Sequence, residues 1–193
     1  MSEPRRRIEL TAPEGDPRGV SRTFDEIRRT RGDVSNLFRL IAVCPPALEP
    51  FFGLSKFVRD DSELPARLRE IAILVTATTF DVKYETVVHT IAGRQAGLAD
   101  DEIEALKAGN WTDFSVTEQA VIQYASEVAL RRDTSDEIVA ALLTHFSERQ
   151  VVELAIIVAW YHLVAAIVQP LRLELDPDLD AEFIRNGDAN ARG

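Results

Sequence analysis

Glu85 and His89 stand four positions apart in FDVKYETVVHTIAGRQAGL, residues 80–98, a spacing slightly longer than one helical turn. On a helix the two side chains share a face and reach one another. A carboxylate beside an imidazole favours the protonated ring, burial disfavours it, and the balance can hold a histidine ready to move protons near neutral pH. General acid or base work is one reading of the pair; a solvated surface ion pair is the other. Glu70, in RLREIAIL, bears on the choice. It lies on the edge of an apolar helix that a short connection returns onto the helix of Glu85 and His89, so the three can converge between antiparallel neighbours. Turned inward, Glu70 needs a partner, because a buried unpaired charge is costly. Turned outward, it would pair with Arg67 or Arg69. Two carboxylates and one imidazole could also hold a divalent ion.

The elements that must position these residues read as helices. DSELPARLREIAILVTATTF has acids at its front, Pro65 in its first turn and Leu68, Ile71, Ala72, Leu74 and Val75 on one broad apolar face, and it should end near Thr79. The helix of Glu85 and His89 stops at Gly97, and ADDEIEALKAG stops at Gly109, each glycine suiting the left-handed position beyond a helix end. Before them, SNLFRLIAV makes a short helix stopped by Pro45-Pro46, and PALEPFFGLSKFVRD a second, with Pro50 awkwardly early. Ser115 with Glu118, Thr134 with Glu137, and Ser147 with Gln150 match the capping box, so three more helices start there. No run alternates with period two between turn signals. The fold class expected is all-α, a helical bundle.

Residues 151–168, VVELAIIVAWYHLVAAIV, are apolar almost all round and long enough to approach a bilayer core. Glu153 and His162 interrupt the run, and the acidic tail LELDPDLDAEF follows where a membrane helix would want positive charge. Burial by protein, within the bundle or between subunits, is the expectation, and no membrane partner is called for.

Over 193 residues, 22 Lys and Arg face 32 Asp and Glu, a net charge of -10. A surface that acidic repels phosphate backbones and anionic headgroups, which excludes nucleic acid as a natural partner. Eight arginines against six acids leave residues 1–31 at +2 and the remainder at -12, so the arm suits an acidic protein surface, its own or a neighbour's. We expect an extended N-terminal arm over residues 1–22, one helical domain over 23–180 and a flexible tail over 181–193. One cysteine, Cys44, excludes an internal disulfide or dithiol pair; beside Pro45 it reads as a small buried hydrophobe. MSEPRRRIELTAPEG lacks an apolar signal core, and a cytoplasmic location is expected.

The stretch from NLFRLIAVCPPALEPFF through LREIAIL and YETVVH to GLADDEIEAL resembles the carboxymuconolactone decarboxylase family, relatives of alkyl hydroperoxidase D, over roughly residues 36–175. The resemblance implies the AhpD-like all-α fold. In the peroxidase branch a Cys-x-x-Cys pair precedes the family histidine by seven and four positions, and a proton-relay glutamate precedes it by nineteen. Val82, Glu85 and Glu70 stand there in this chain, so the thiols are gone while the glutamate and histidine are kept. The YE...H form looks like the decarboxylase branch. That implies an enzyme performing cofactor-free acid and base decarboxylation of a small organic acid or lactone, with His89 as proton donor, Glu85 and Glu70 as its partners, and Tyr84 lining the pocket. No metal or organic cofactor is implied. A dicarboxylate substrate would need cations, for which Arg39, Arg69 and Arg94 are candidates, and Tyr161 and His162 of the last helix could face the same pocket. Thr86 stands where the family often has tryptophan. The family also implies self-association as a homotrimer or homohexamer. A hydroperoxidase relative without thiols, and a non-catalytic ligand-binding or assembly protein, are the alternatives.

Overall fold

A computed structural model describes residues 6–12, 14 and 18–179; the tail expected over 181–193 lies outside them. All regular elements among the described residues are helical. The described residues form two compact units, one of those up to Asp61 together with those from Ile167 to 179, the other of Ser62–Ala166.

The first unit holds α1 (Ser21–Arg31), α2 (Asn36–Ile41), α3 (Pro45–Lys56) and a π-helical turn (Phe57–Asp61). Arginine-rich α1 has no broad apolar face, but Phe24 and Ile27, three apart, are fully buried and suffice to dock it. Pro45 and Pro46 stop α2 and also begin α3, where a missing N–H costs nothing because first-turn donors have no helical acceptor. Phe38 of α2 meets Phe51 and Phe52 of α3 edge-on, with ring centroids 6.2 and 5.6 Å apart. The described part of the arm lies along this unit: Leu10 and Thr11 are buried, the Thr11 N–H donates to the Arg39 carbonyl, and the Arg7 N–H donates to the Leu171 carbonyl. Cys44 is exposed, not buried as its apolar character suggested. It occupies the cap ahead of α3, outside the helix.

The second unit holds α4 (Ala66–Thr79), α5 (Lys83–Gln95), α6 (Asp100–Ala108), α7 (Val116–Arg131), α8 (Asp136–His145) and α9 (Glu148–Leu171), whose last residues belong to the first unit. Helix α4 is its hub, packing on α5, α6 and α7. Every residue from Glu70 to Ala77 is buried, which explains why its apolar pattern is broad and not a stripe. Gly93 brings α5 close: a Cβ there would lie 3.0 Å from a Leu98 methyl and 3.4 Å from one of Leu74.

Local chemistry sets the helix starts. Ser115 and Glu118 form the reciprocal box, as do Ser147 and Gln150. Thr134 does not: its hydroxyl goes to Glu127, and Ser135 caps α8 by accepting from the Ile138 N–H. The adjacent serine competes for the cap one residue later. Arg67 joins three elements, bonding Glu102, Glu118 and the Gly97 carbonyl. In α9, Glu153 accepts from the Ser62 hydroxyl, the Glu63 N–H and Arg149 at 2.7–2.9 Å, fastening the residues that lead into α4. Helix α9 is the one described helix long and apolar enough, by length and composition, to cross a membrane; its charge at Glu153 is held by these protein donors.

Candidate active site

Three residues, Phe80, Asp81 and Val82, reverse the chain between α4 and α5. The Val82 N–H returns to the Ala77 carbonyl at 3.0 Å, and Asp81 takes φ of 54°, a left-handed conformation that aspartate tolerates better than most side chains. The reversal lays the first turns of α5 along α4 and so brings Glu85 and His89 to Glu70.

The convergence is close and dry. Glu70 Oε2 lies 2.7 Å from His89 Nδ1, and Glu85 Oε2 lies 3.4 Å from Nε2 on the other side of the ring. The remaining Glu70 oxygen is 3.5 Å from Arg69 Nε. Glu85 is 3% exposed, Glu70 6% and His89 8%. Tyr161 of α9 sets its ring against the imidazole, centroids 4.7 Å apart at 87°. Glu85 sits in the first turn of α5, where the helix dipole favours negative charge. Its Oε1 atom is buried without a hydrogen-bond partner.

Electrostatics follow from these distances. Burial works against the His89 imidazolium, but the charge and hydrogen bond of Glu70, then those of Glu85, outweigh it and raise the pKa to about 9. Burial likewise opposes the Glu70 carboxylate, and the His89 cation, with Arg69 behind it, carries that group below its ordinary range. At neutral pH a protonated imidazole therefore sits against the Glu70 carboxylate, with the Glu85 side chain on its other face.

The other expected site residues are placed differently. Tyr84 is buried on α5. Arg69 both touches Glu70 and remains at the edge of the cluster, so Glu70 turns inward and still keeps the arginine neighbour expected of the outward case. Arg67 is spent on Glu102 and Glu118, and Arg94 pairs with Asp100 at 2.7 Å. Arg39 belongs to the first unit, donating to the Thr11 carbonyl and Asn36 Oδ1. His162 leaves α9 about 100° round the axis from Tyr161; its Nδ1 donates to the Val158 carbonyl at 2.8 Å and its ring meets Phe80. Among the described residues no group of three or more His, Cys, Asp and Glu is arranged to hold a metal ion, since the two ring nitrogens of His89 face opposite ways. Sequence spacing missed that the two glutamates lie on opposite sides of the ring. The signal was available: glutamates four and nineteen positions back bracket the same histidine.

Residues 45–127 match the carboxymuconolactone decarboxylase family. An uncharacterized peroxidase-related protein from Silicibacter sp. TM1040 shares the fold with a TM-score of 0.81 at 15% identity, over 95% of this chain and 99% of that one. A second, described as an alkylhydroperoxidase AhpD core, from Ralstonia eutropha JMP134, gives 0.79 at 18% identity over 92% and 96%. The debrominase Bmp8, as a cysteine-to-alanine variant in complex with 2,3,4-tribromopyrrole, gives 0.77 at 14% identity over 94% and 99%. No curated protein matches the sequence.

Proposed function

From a chain that carries a carboxymuconolactone decarboxylase family segment on an AhpD-like all-helical fold, we propose an enzyme of the decarboxylase type, moving protons on a small organic acid or lactone without a cofactor. The observation that carries the reading is the continuous chain of buried ionisable groups from Glu70 through His89 to Glu85. Decarboxylation leaves an electron pair that must be delocalised and then protonated, and a preorganised acid and base in a dry site suits that step. Three ionisable groups kept in a protein interior cost stability that packing alone would avoid, which favours a chemical role over a purely structural one.

The supporting experiment is carbon dioxide release from a panel of unsaturated lactone acids and keto acids by the wild type and by His89→Ala. Release that collapses in a folded variant supports the proposal, and no release from any compound sinks it. A hydroperoxidase relative is the second reading, favoured by the fold of the peroxidase-related neighbours. Against it, Val82 and Glu85 replace the thiols implied by the family pattern, and Cys44 is the chain's one cysteine. Peroxide turnover with a dithiol reductant would decide for it. The bromopyrrole held by the debrominase neighbour extends the panel to small halogenated heterocycles.

The proposal places the enzyme in the cytoplasm, away from nucleic acid, and self-associated as a homotrimer or homohexamer. Val152 and Leu163 of α9, 57% and 45% exposed, are apolar surface that a subunit contact would cover. Light scattering that returned a monomer mass would exclude the assembly.

A further inference from the structure

We infer that the outer face of α9 pairs with α9 of a second copy, antiparallel about a two-fold axis, and that the assembly is built from such pairs. The inference rests on the self-association proposed above and deepens it, because a two-fold contact fits the homohexamer and not the homotrimer.

Helix α9 is apolar almost all round, yet one side of it lies open. Leu154, Ile157, Val158, Tyr161 and Val164 are buried. Val152, Ala159, Leu163 and Ala166 are exposed and Ile156 is half-buried. From Val152 these five follow one another at intervals of four, three, four and three residues, an average of about 3.5, which is the period of a seam between two helices that wind about each other. The stripe runs for about 21 Å at about 1.5 Å per residue, and no side chain on it is polar.

The stripe complements itself in one direction. Set antiparallel, with Leu163 opposite Ala159 of the partner subunit, the same register puts Ile156 opposite Ala166 of the partner subunit. Each large side chain then meets a small one, twice over by symmetry, and the alternation lets the helix axes approach to about 8 Å. Set parallel, Leu163 would meet its own copy and Ala159 its own, so crowded layers would alternate with hollow ones.

Charge selects the occupant. The chain carries -10, so two copies repel one another except where the surface is uncharged. From Leu154 to Leu171, α9 contains no Asp, Glu, Lys or Arg. A lipid surface would want Lys or Arg beside the stripe to meet headgroups, and a basic protein would want acids there; a second copy wants neither. Tyr161, whose ring meets His89, leaves α9 about 160° round the axis from Ala159 and from Leu163. Pairing through the stripe leaves that contact in place.

The experiment measures the mass of the full chain by light scattering and sedimentation for wild type and Leu163→Glu, with folding checked by circular dichroism. Leu163 is 45% exposed, so the new carboxylate stays hydrated until a partner covers it, and the mass should fall about twofold. In a Cys44→Ser background, the double variant Ala159→Cys, Leu163→Cys should cross-link into pairs under mild oxidation. Neither single cysteine variant should do so, since only the mixed positions face one another. A folded Leu163→Glu of unchanged mass overturns the inference, as does a double variant that stays uncross-linked or a single variant that links to its own copy. Should Leu163→Glu not fold, the cysteine variants decide. A wild type of dimer mass that Leu163→Glu splits would keep the pairing and remove the trimer or hexamer; a trimer or hexamer indifferent to both tests would do the reverse. A wild-type monomer overturns the pairing, and its flotation with phosphatidylcholine vesicles would assign the face to lipid.

Discussion

Replacing Glu70 with glutamine keeps the shape of the site and removes the charge 2.7 Å from His89 Nδ1. In the wild type, His89 titrates at about 9 when folded, against 6.5 for the free side chain. Below pH 6.5 both folded and unfolded chains hold the proton, and the stabilisation from this group is complete. Between 6.5 and 9 only the folded chain holds it, so stability falls by about 1.4 kcal/mol per pH unit. Above 9 neither holds it and the contribution is spent. Over the 2.5-unit difference the loss is roughly 3 kcal/mol, worth about 10 °C in midpoint for a chain of this size. The remaining shifted groups titrate elsewhere: Glu70, Glu102, Glu118, Glu137 and Glu153 are lowered from 4.5, Tyr124 is raised from 10.0, and Arg67 and Arg149 are raised further above the range. In Glu70→Gln, burial still opposes the imidazolium and only the 3.4 Å contact with Glu85 supports it, so the His89 pKa should fall and the slope between pH 6.5 and 9 should flatten. Thermal unfolding across that range, with the His89 ring titrated by NMR, measures both. An unchanged slope, or a His89 pKa still near 9, would refute the assignment of the shift to Glu70.

Glu153→Ala leaves the Ser62 hydroxyl and the Glu63 N–H without their acceptor and should cost about 2–4 kcal/mol in urea unfolding, with Glu153→Gln costing less. Arg67→Lys loses the planar fork that reaches Glu102, Glu118 and the Gly97 carbonyl; a destabilisation of about 1 kcal/mol, shrinking in high salt, is expected by the same assay. Arg132 caps α7 at φ 59° in the left-handed region, on the surface, so Arg132→Gly should raise the unfolding midpoint by up to about 1 kcal/mol equivalent.

Much of this protein follows from local rules. Ser115 with Glu118 and Ser147 with Gln150 begin helices where their side chains satisfy orphan donors, and α6 ends at Gly109 because glycine accepts φ of 71°. Those decisions need only neighbours in the chain, and they made the all-helical class legible, as the family pattern did the fold. Thr134 shows the limit of such rules, since its choice of Glu127 depends on α7 lying within reach. The site lies further beyond that limit. Spacing puts Glu85 and His89 on one face, but whether Glu70 joins them turns on a three-residue reversal at Asp81 and on Gly93 admitting α4 at close range. Nor does a residue pattern state which side of a ring each carboxylate occupies. Direction is a property of packed helices, and here it sets Glu70 and Glu85 against opposite sides of the His89 ring.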